Sequence, residues 1–511
     1  MSRYLILLFV LAAIIVTMPL AKADEATWRT KVDQRVLAEV EGGSAEFLLV
    51  LNAHADLSGA NRIVDKAEKS AFVFNTLRAF AEQDQQTLLA ELEKSGVPHR
   101  AFWIANVIWV DGDVAVLQQM ARSPLVEQIV PNQSFAAEIP QPEPTRQAET
   151  VEWNIAKIGA PEAWELGVTG AGVVIAGQDT GYEWTHPALK NSYRGWNGTT
   201  ADHNYNWHDA ITTGSGGRCG LNSPEPCDDF PSWHGTHTMG TMVGNDGNSA
   251  ETGWPASATN AVGVAPGATW IGCRNMDQGN GTPTTYMDCF EWFIAPTDLN
   301  DTNPDPSQAP HVINNSWSCP TSEGCIDPNV MKQVIENTRA AGIFVAVAAS
   351  NSGPTCSSVS KPPAIYDASF AVGSVDSTDV IAGSSARGPV TVDGSNRLKP
   401  DISAPGVGIR STTNVDSYGT SSGTSMASPH VAGLVALLID ANPALAGQVD
   451  QLEAIIRNTA MPLTTTELCG GTNGVVPNNV YGFGRIDALA AVQSQLIILE
   501  PASFLPAIHN S

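Results

Sequence analysis

The sequence predicts an α/β protein, a parallel sheet flanked by helices, preceded by a small α+β domain. Three observations carry this. From Trp153 onward, short unbroken apolar runs alternate with helical segments, the texture of strands covered on both faces. Residues 24–135 hold strands and helices of their own, and all eight cysteines fall after them, between 219 and 469. Between the two units lies Glu138–Thr150, a polar stretch with three prolines and no apolar face to pack.

The elements follow in chain order. Arg3, the apolar run Leu5–Val16 and the small-x-small triplet Ala21-Lys22-Ala23 read as a signal peptide over residues 1–23. That predicts a secreted protein, extracellular or periplasmic, beginning at Asp24 after cleavage. In 24–135, Glu46–Leu51 reads as a strand. Asn61–Lys94 has helical apolar spacing and is stopped by Gly96-Val97-Pro98. Ala101–Val110 reads as a strand, Asp113–Arg122 as a helix and Val126–Val130 as a strand. Residues 136–152 are expected to be an exposed linker, open to cleavage. The larger domain, 153–495, has strands at Val173–Gln178, Thr269–Cys273, His311–Asn315, Ile343–Ala349 and Ser369–Val375. Helices are expected near Thr236–Val243, Thr285–Ala295 and Pro328–Ala341. The tail, 496–511, is apolar but too short to span a membrane, and is expected to dock on the larger domain.

Of 511 residues, 27 are basic and 52 acidic, a net charge of −25. That excludes nucleic acid and anionic membranes as main partners. An even number of cysteines in an exported chain implies disulfides. Close spacing favours Cys219–Cys227, Cys273–Cys289 and Cys319–Cys325, leaving Cys356–Cys469, among the many pairings that eight cysteines allow.

In parallel sheets, chemistry gathers at the carboxyl ends of strands. Asp179 stands at one such end and Asn351 at another. His234 and His237 lie at a helix start. They are spaced as a metal pair but lack the glutamate of the usual zinc helix, which favours a base, His234, exposed, and a packing partner. Ser425 sits in Gly423–Gly433, where small residues give way to an apolar helix. There a serine can attack a carbonyl and its own N–H can hold the oxyanion. Taken singly, each has an ordinary reading as a turn or cap residue.

Together they resemble a known family. Asp-Thr-Gly at 179, His-Gly-Thr-His at 234 and Gly-Thr-Ser-Met-Ala-Ser-Pro-His at 423 occur in the order Asp, His, Ser of the subtilisin-like serine proteases, the subtilases. Gly263-Val264-Ala265-Pro266, the run Ser384–Pro389, the run Lys399–Gly406 and the run Tyr481–Asp487 extend the resemblance over Trp153–Val492. Trp184-Thr185-His186-Pro187 and Asn314-Asn315-Ser316-Trp317 resemble the bacillopeptidase F branch, and the unit 47–135 resembles the family's inhibitory propeptide.

The resemblance implies roles. Ser425 would be the nucleophile, His234 the base and Asp179 its orienting acid. Asn351 and the Ser425 N–H would form the oxyanion hole. Ser316, Trp317 and Ser318 would form one edge for an extended polypeptide, and Gly279 and Gly281 the other. Ser352–Pro363 would wall the pocket before the cut. His237 and His430 would be structural. Four positions depart from the family pattern: Ser350, Ser318-Cys319, Gln178 and Ala188. The last removes an acidic calcium ligand. No cofactor is expected for the chemistry, and a structural calcium is left without a located site, Asp298–Asp305 reading as a solvated loop. The expectation is a secreted, monomeric serine endopeptidase made as a zymogen, its propeptide acting as an intramolecular inhibitor. A lipase-type acyl hydrolase would need Gly-x-Ser-x-Gly and the order Ser, Asp, His. A catalytically inactive binding protein on the same fold would have lost one of Asp179, His234, Asn351 or Ser425, and all four are present.

Overall fold

The computed structural model describes residues 28–136, 139–140, 142–144, 151–247, 261–320, 325 and 331–499. The expected signal peptide, much of the linker and most of the tail lie outside the described residues.

The N-terminal unit carries helices α1 (Gln34–Val40), α2 (Lys66–Ser95) and α3 (Val114–Arg122). Asp65 caps α2 by accepting the Glu68 N–H, and Gly96 ends it in the left-handed region, φ 68°. The strands are β1 (Ser44–Leu51), β2 (His99–Phe102), β3 (Val107–Asp113) and β4 (Val126–Pro131), antiparallel in the order β2-β3-β1-β4. The expected strand Ala101–Val110 is therefore a hairpin. Asn106 takes a left-handed φ of 54° in its turn, a conformation Asn tolerates better than most residues. Strand periodicity splits the sheet's two faces. Phe47, Leu49 and Leu51 face the unit's own helices, whereas Leu48 and Val130 face the larger unit.

The chain continues through β5 (Phe135–Ala136), β6 (Val174–Asp179), β7 (Trp207–Asp209) and β8 (Thr269–Arg274). Two short strands, β9 (Met276–Asp277) and β10 (Asn280–Gly281), follow. Then come β11 (Val312–Asn315), β12 (Phe344–Ala348), β13 (Phe370–Val375) and β14 (Ile402–Pro405). A hairpin of β15 (Ile409–Thr412) and β16 (Tyr418–Ser421) ends the series. Seven of these form a parallel sheet in the order β14-β13-β12-β11-β6-β8-β7. β7 and β14 were not among the expected strands, being three and four residues long.

Helices α4 (His234–Val243) and α7 (Thr424–Ala441) share one core with Ile175, Val312 and Phe344. Helices α5 (Pro283–Ile294) and α6 (Lys332–Ala340) share the other with Ile271, Ile313 and Val345. Among the described residues α7 is the one helix long and apolar enough to cross a membrane, yet 94% of it is buried, which makes it a core helix. The N-terminal sheet packs on α5. Arg100 grips Asp288 with both guanidinium nitrogens, and the Ile104 N–H reaches Glu291 at 2.9 Å. All four expected disulfides form: Cys219–Cys227, Cys273–Cys289, Cys319–Cys325 and Cys356–Cys469.

Candidate active site

Strands β12, β11 and β6 lie side by side, and their carboxyl ends deliver three of the predicted residues. Asp179 is the last residue of β6. Ser316 follows β11, and Asn351 follows β12 after a short turn. Helix α4 starts at His234. Its start comes so close to β6 that a Cβ on Gly235 would stand 2.1 Å from the Gly181 carbonyl, so only glycine fits.

Asp179 Oδ1 accepts the His234 Nδ1–H at 2.7 Å and the Thr180 N–H at 2.8 Å. Nδ1 being the donor, Nε2 is free to accept, and it has no partner among the described residues. His234 is only 2% exposed, contrary to its expected exposure, because Pro140 and Pro142 of the linker line the cavity it faces. His237 Nε2–H donates to the Ile409 carbonyl at 3.1 Å, and burial pushes its imidazole down to about 4. His430 bridges Met426 and Asn154, and burial likewise lowers it to about 4. Both are held neutral in the core, which suits packing.

Ser425 is the second residue of α7. Its Oγ donates to the Ser316 carbonyl at 3.1 Å and not to His234. Pro429 lies at the sixth position of α7, beyond its first turn. It lacks the N–H that would bond the Ser425 carbonyl. The Ser316 hydroxyl supplies the missing donor at 2.9 Å. The predicted substrate edge is thereby tied to the residue predicted as nucleophile.

Asn351 Oδ1 accepts the Thr424 N–H at 2.9 Å and the Thr424 hydroxyl at 3.0 Å. This fixes the amide and leaves Nδ2 as the uncommitted donor, facing a recess shared with Ser316, Trp317, Ser318 and Ser425. Ser350, where the family pattern has glycine, adopts φ 87°. Gln178 donates to Asn315 at 2.7 Å and accepts from Asn275 at 2.9 Å, a buried polar tie replacing an apolar contact. Trp317 stacks on Tyr286 at 3.9 Å beneath the two edges.

The chain itself runs through this cleft. Phe135–Ala136 pair antiparallel with Gly281 and Asn280. Ile139 lies beside Gly279. A Cβ on Gly423 would stand 2.8 Å from the Pro140 ring and 3.3 Å from the Asn351 amide. The Glu143 N–H then bonds the Thr420 carbonyl at 2.8 Å. The described linker residues are thus seated along the site, where an exposed tether was expected.

The residues present do not fit the family's calcium site. Ala188 is buried and offers no oxygen from its side chain, and among the described residues no cluster of three or more His, Cys, Asp or Glu converges. In the loop 298–305 the Asp298 carboxylate is taken up by Thr302 and Asn303. One contributor escaped the sequence reading. Asp228, 0% exposed, lies behind the Asp179–His234 pair. Its only sequence signal is a charge in the loop before a helix start.

This fold and site bring a serine at a helix start, an Asp–His pair and an amide donor together at the ends of parallel strands. The chain belongs to the subtilase family, whose model matches residues 170–484. It is 36% identical over 450 residues to bacillopeptidase F of Bacillus subtilis, covering 84% of this chain and 29% of that protein's length. It is 29% identical to subtilisin E of Bacillus subtilis, over 72% of this chain and 79% of that protein. It is also 29% identical to an alkaline protease of Alkalihalobacillus alcalophilus, over 69% of this chain and 72% of that protein.

Proposed function

We propose that the chain is a secreted serine endopeptidase made as a zymogen. The single observation that carries this is the short Asp179–His234 hydrogen bond beside Ser425 and Asn351, with a segment of the same chain laid extended across them. Ser425 Oγ attacks the substrate carbonyl as His234 Nε2 takes its proton. Asp179 holds the imidazole tautomer and stabilises the imidazolium. The tetrahedral oxyanion is held by Asn351 Nδ2 and the Ser425 N–H. Collapse expels the amine, protonated by His234, and leaves an acyl-enzyme on Ser425. Water activated by His234 then releases the acid. The substrate is an extended polypeptide that pairs with Asn280–Gly281, as Phe135–Ala136 do. That pairing reads backbone more than side chains, so broad specificity is expected. The N-terminal unit inhibits by holding 135–144 in the cleft until the linker is cut.

A fluorophosphonate probe tests the reading on the purified, processed protein. Wild type is labelled and hydrolyses casein, while Ser425→Ala is not labelled and loses about 10⁶-fold in kcat, the scale known for subtilisin, a relative of this chain. Absence of labelling after removal of the N-terminal unit would sink the proposal. Asn351→Ala keeps KM and loses about 10²–10³-fold in kcat, again the scale known for subtilisin.

A further inference from the structure

We infer that Asp228 is a positioning residue for the Asp179–His234 pair, capping from a distance the helix that carries the imidazole. This rests on the peptidase reading of the site. Helix α4 begins after Trp233, which sits at φ 55° and makes no side-chain cap, an indole having no acceptor to offer. The first N–H groups of a helix need acceptors from elsewhere. Here the Gly235 N–H goes to Thr180 Oγ1 at 3.0 Å and the Thr236 N–H to Asp228 Oδ2 at 3.0 Å. The cap comes from two other segments of the chain.

Asp228 joins those segments. Its Oδ2 also accepts the Thr236 hydroxyl at 2.7 Å. Its Oδ1 accepts the Thr180 hydroxyl at 2.9 Å and the Phe230 N–H at 3.2 Å. One fully buried carboxylate thus takes four hydrogen bonds, from the turn after β6, from its own loop just past Cys227 and from the start of α4. Thr180 directly follows Asp179, and Thr236 lies two residues after His234. The pair is therefore linked twice, by its own hydrogen bond and by the frame Asp179, Thr180, Asp228, Thr236, His234. A single hydrogen bond sets a distance. The frame sets where the helix stands relative to the strand end, and so which way Nε2 points.

The chemistry requires a carboxylate. The Thr180 hydroxyl accepts from Gly235 and donates to Asp228, and the Thr236 hydroxyl accepts the Glu183 N–H at 3.0 Å and donates to Asp228. All four partners are donors, and an asparagine would turn an NH₂ against two of them. Burial is the largest influence on this carboxyl and pushes it up to about 7; the Thr236 and Thr180 hydrogen bonds hold it down, and the charge of Asp179 adds to the rise.

The test uses the processed enzyme. Asp228→Asn loses about 10²-fold in kcat with KM within about twofold, the scale of a catalytic group displaced by an ångström. Thr180→Val, which opens the same frame, loses kcat similarly, Thr180→Ser restores it, and the Asp228→Asn/Thr180→Val double variant loses little more than either alone. Should Asp228→Asn not fold, the Thr180 series reads the same frame. The low-field Nδ1 proton of His234 in NMR spectra shifts in Thr180→Val whether or not the protein turns over. Wild-type kcat in Thr180→Val with that resonance unmoved overturns the inference. A wild-type protein that neither labels nor hydrolyses casein overturns the peptidase reading instead, and the resonance still decides the frame.

Discussion

The four-stranded N-terminal unit and the seven-stranded unit behind it complete their burial in different ways. The larger unit covers both faces of its sheet with its own helices and closes its loops with four disulfides. The smaller has no cysteine, and only one face of its sheet meets its own helices. Its other face is finished by α5, where Leu48 and Val130 share a core with Tyr286 and Phe290 and polar, titratable contacts are added. Arg100 pairs with Asp288, which also meets His208 at 3.2 Å, and Ile104 leans on Glu291. Burial opposes charge on His208, yet Asp288 outweighs it and lifts the imidazole to about 9. The smaller unit is completed by its neighbour through ionisable contacts, whereas the larger is closed on itself by covalent ties.

Three measurements break or sharpen that contrast, from the largest effect down. Cys356–Cys469 closes a 113-residue separation, so in the chain-entropy account losing it costs about 5 kcal/mol. Replacing both cysteines by alanine should lower the melting midpoint of the larger unit, while reductant leaves the isolated segment 24–135 unchanged. Equal sensitivity of the two would break the comparison.

Next comes Glu291, whose carboxyl burial pushes from 4.5 up to about 8, against the pull of Arg100 and the Ile104 N–H. A carboxyl raised in the folded state binds a proton the unfolded chain has already lost. Its contribution is full below about pH 4.5 and is lost as pH rises through 8. Glu291→Gln keeps the acceptor for Ile104 without the charge. It should therefore stabilise the undivided chain against unfolding more at pH 9 than at pH 5, by on the order of a few kcal/mol. An offset equal at both pH values would show that the seam does not titrate there.

The smallest effect lies inside the N-terminal unit. Asp113 caps α3 by accepting the Ala115 and Val116 N–H groups at 2.9 and 3.0 Å. Asp113→Ala should cost about 1 kcal/mol in urea unfolding of that unit. It should leave turnover of the processed enzyme unchanged.

Much of the larger unit was legible because its strands are short apolar runs and its motifs stand at their ends. Asp179, Asn351 and Ser316 fall at carboxyl ends of adjacent strands, as a parallel sheet demands. The hairpin in the N-terminal unit was not legible, since a lone Asn106 in the otherwise apolar Ala101–Val110, with no Gly or Pro, is all that marks the turn. Nor were β7 and β14, whose three and four residues hold His and Asp in the one and Ser and Pro in the other. The exposure expected of His234 failed for a different reason. What covers it is a linker more than ninety positions earlier in the chain, and local pattern says nothing of where a polar tether will lie.

By itself the sequence determined the parallel α/β class, the order Asp179, His234, Ser425 and the amide Asn351 at a strand end. Those are properties of residue type and spacing, which survive without knowledge of distance. Tertiary structure alone decided how the chemistry is held. It brought Ser316 to the carbonyl that Pro429 leaves unpaired, laid Pro140 against Gly423, and placed Asp228 beneath a helix with no cap of its own. In each case a polar group orphaned in one segment is satisfied by another far away in sequence. Burial makes such partners obligatory, and only the folded chain decides which residue supplies them.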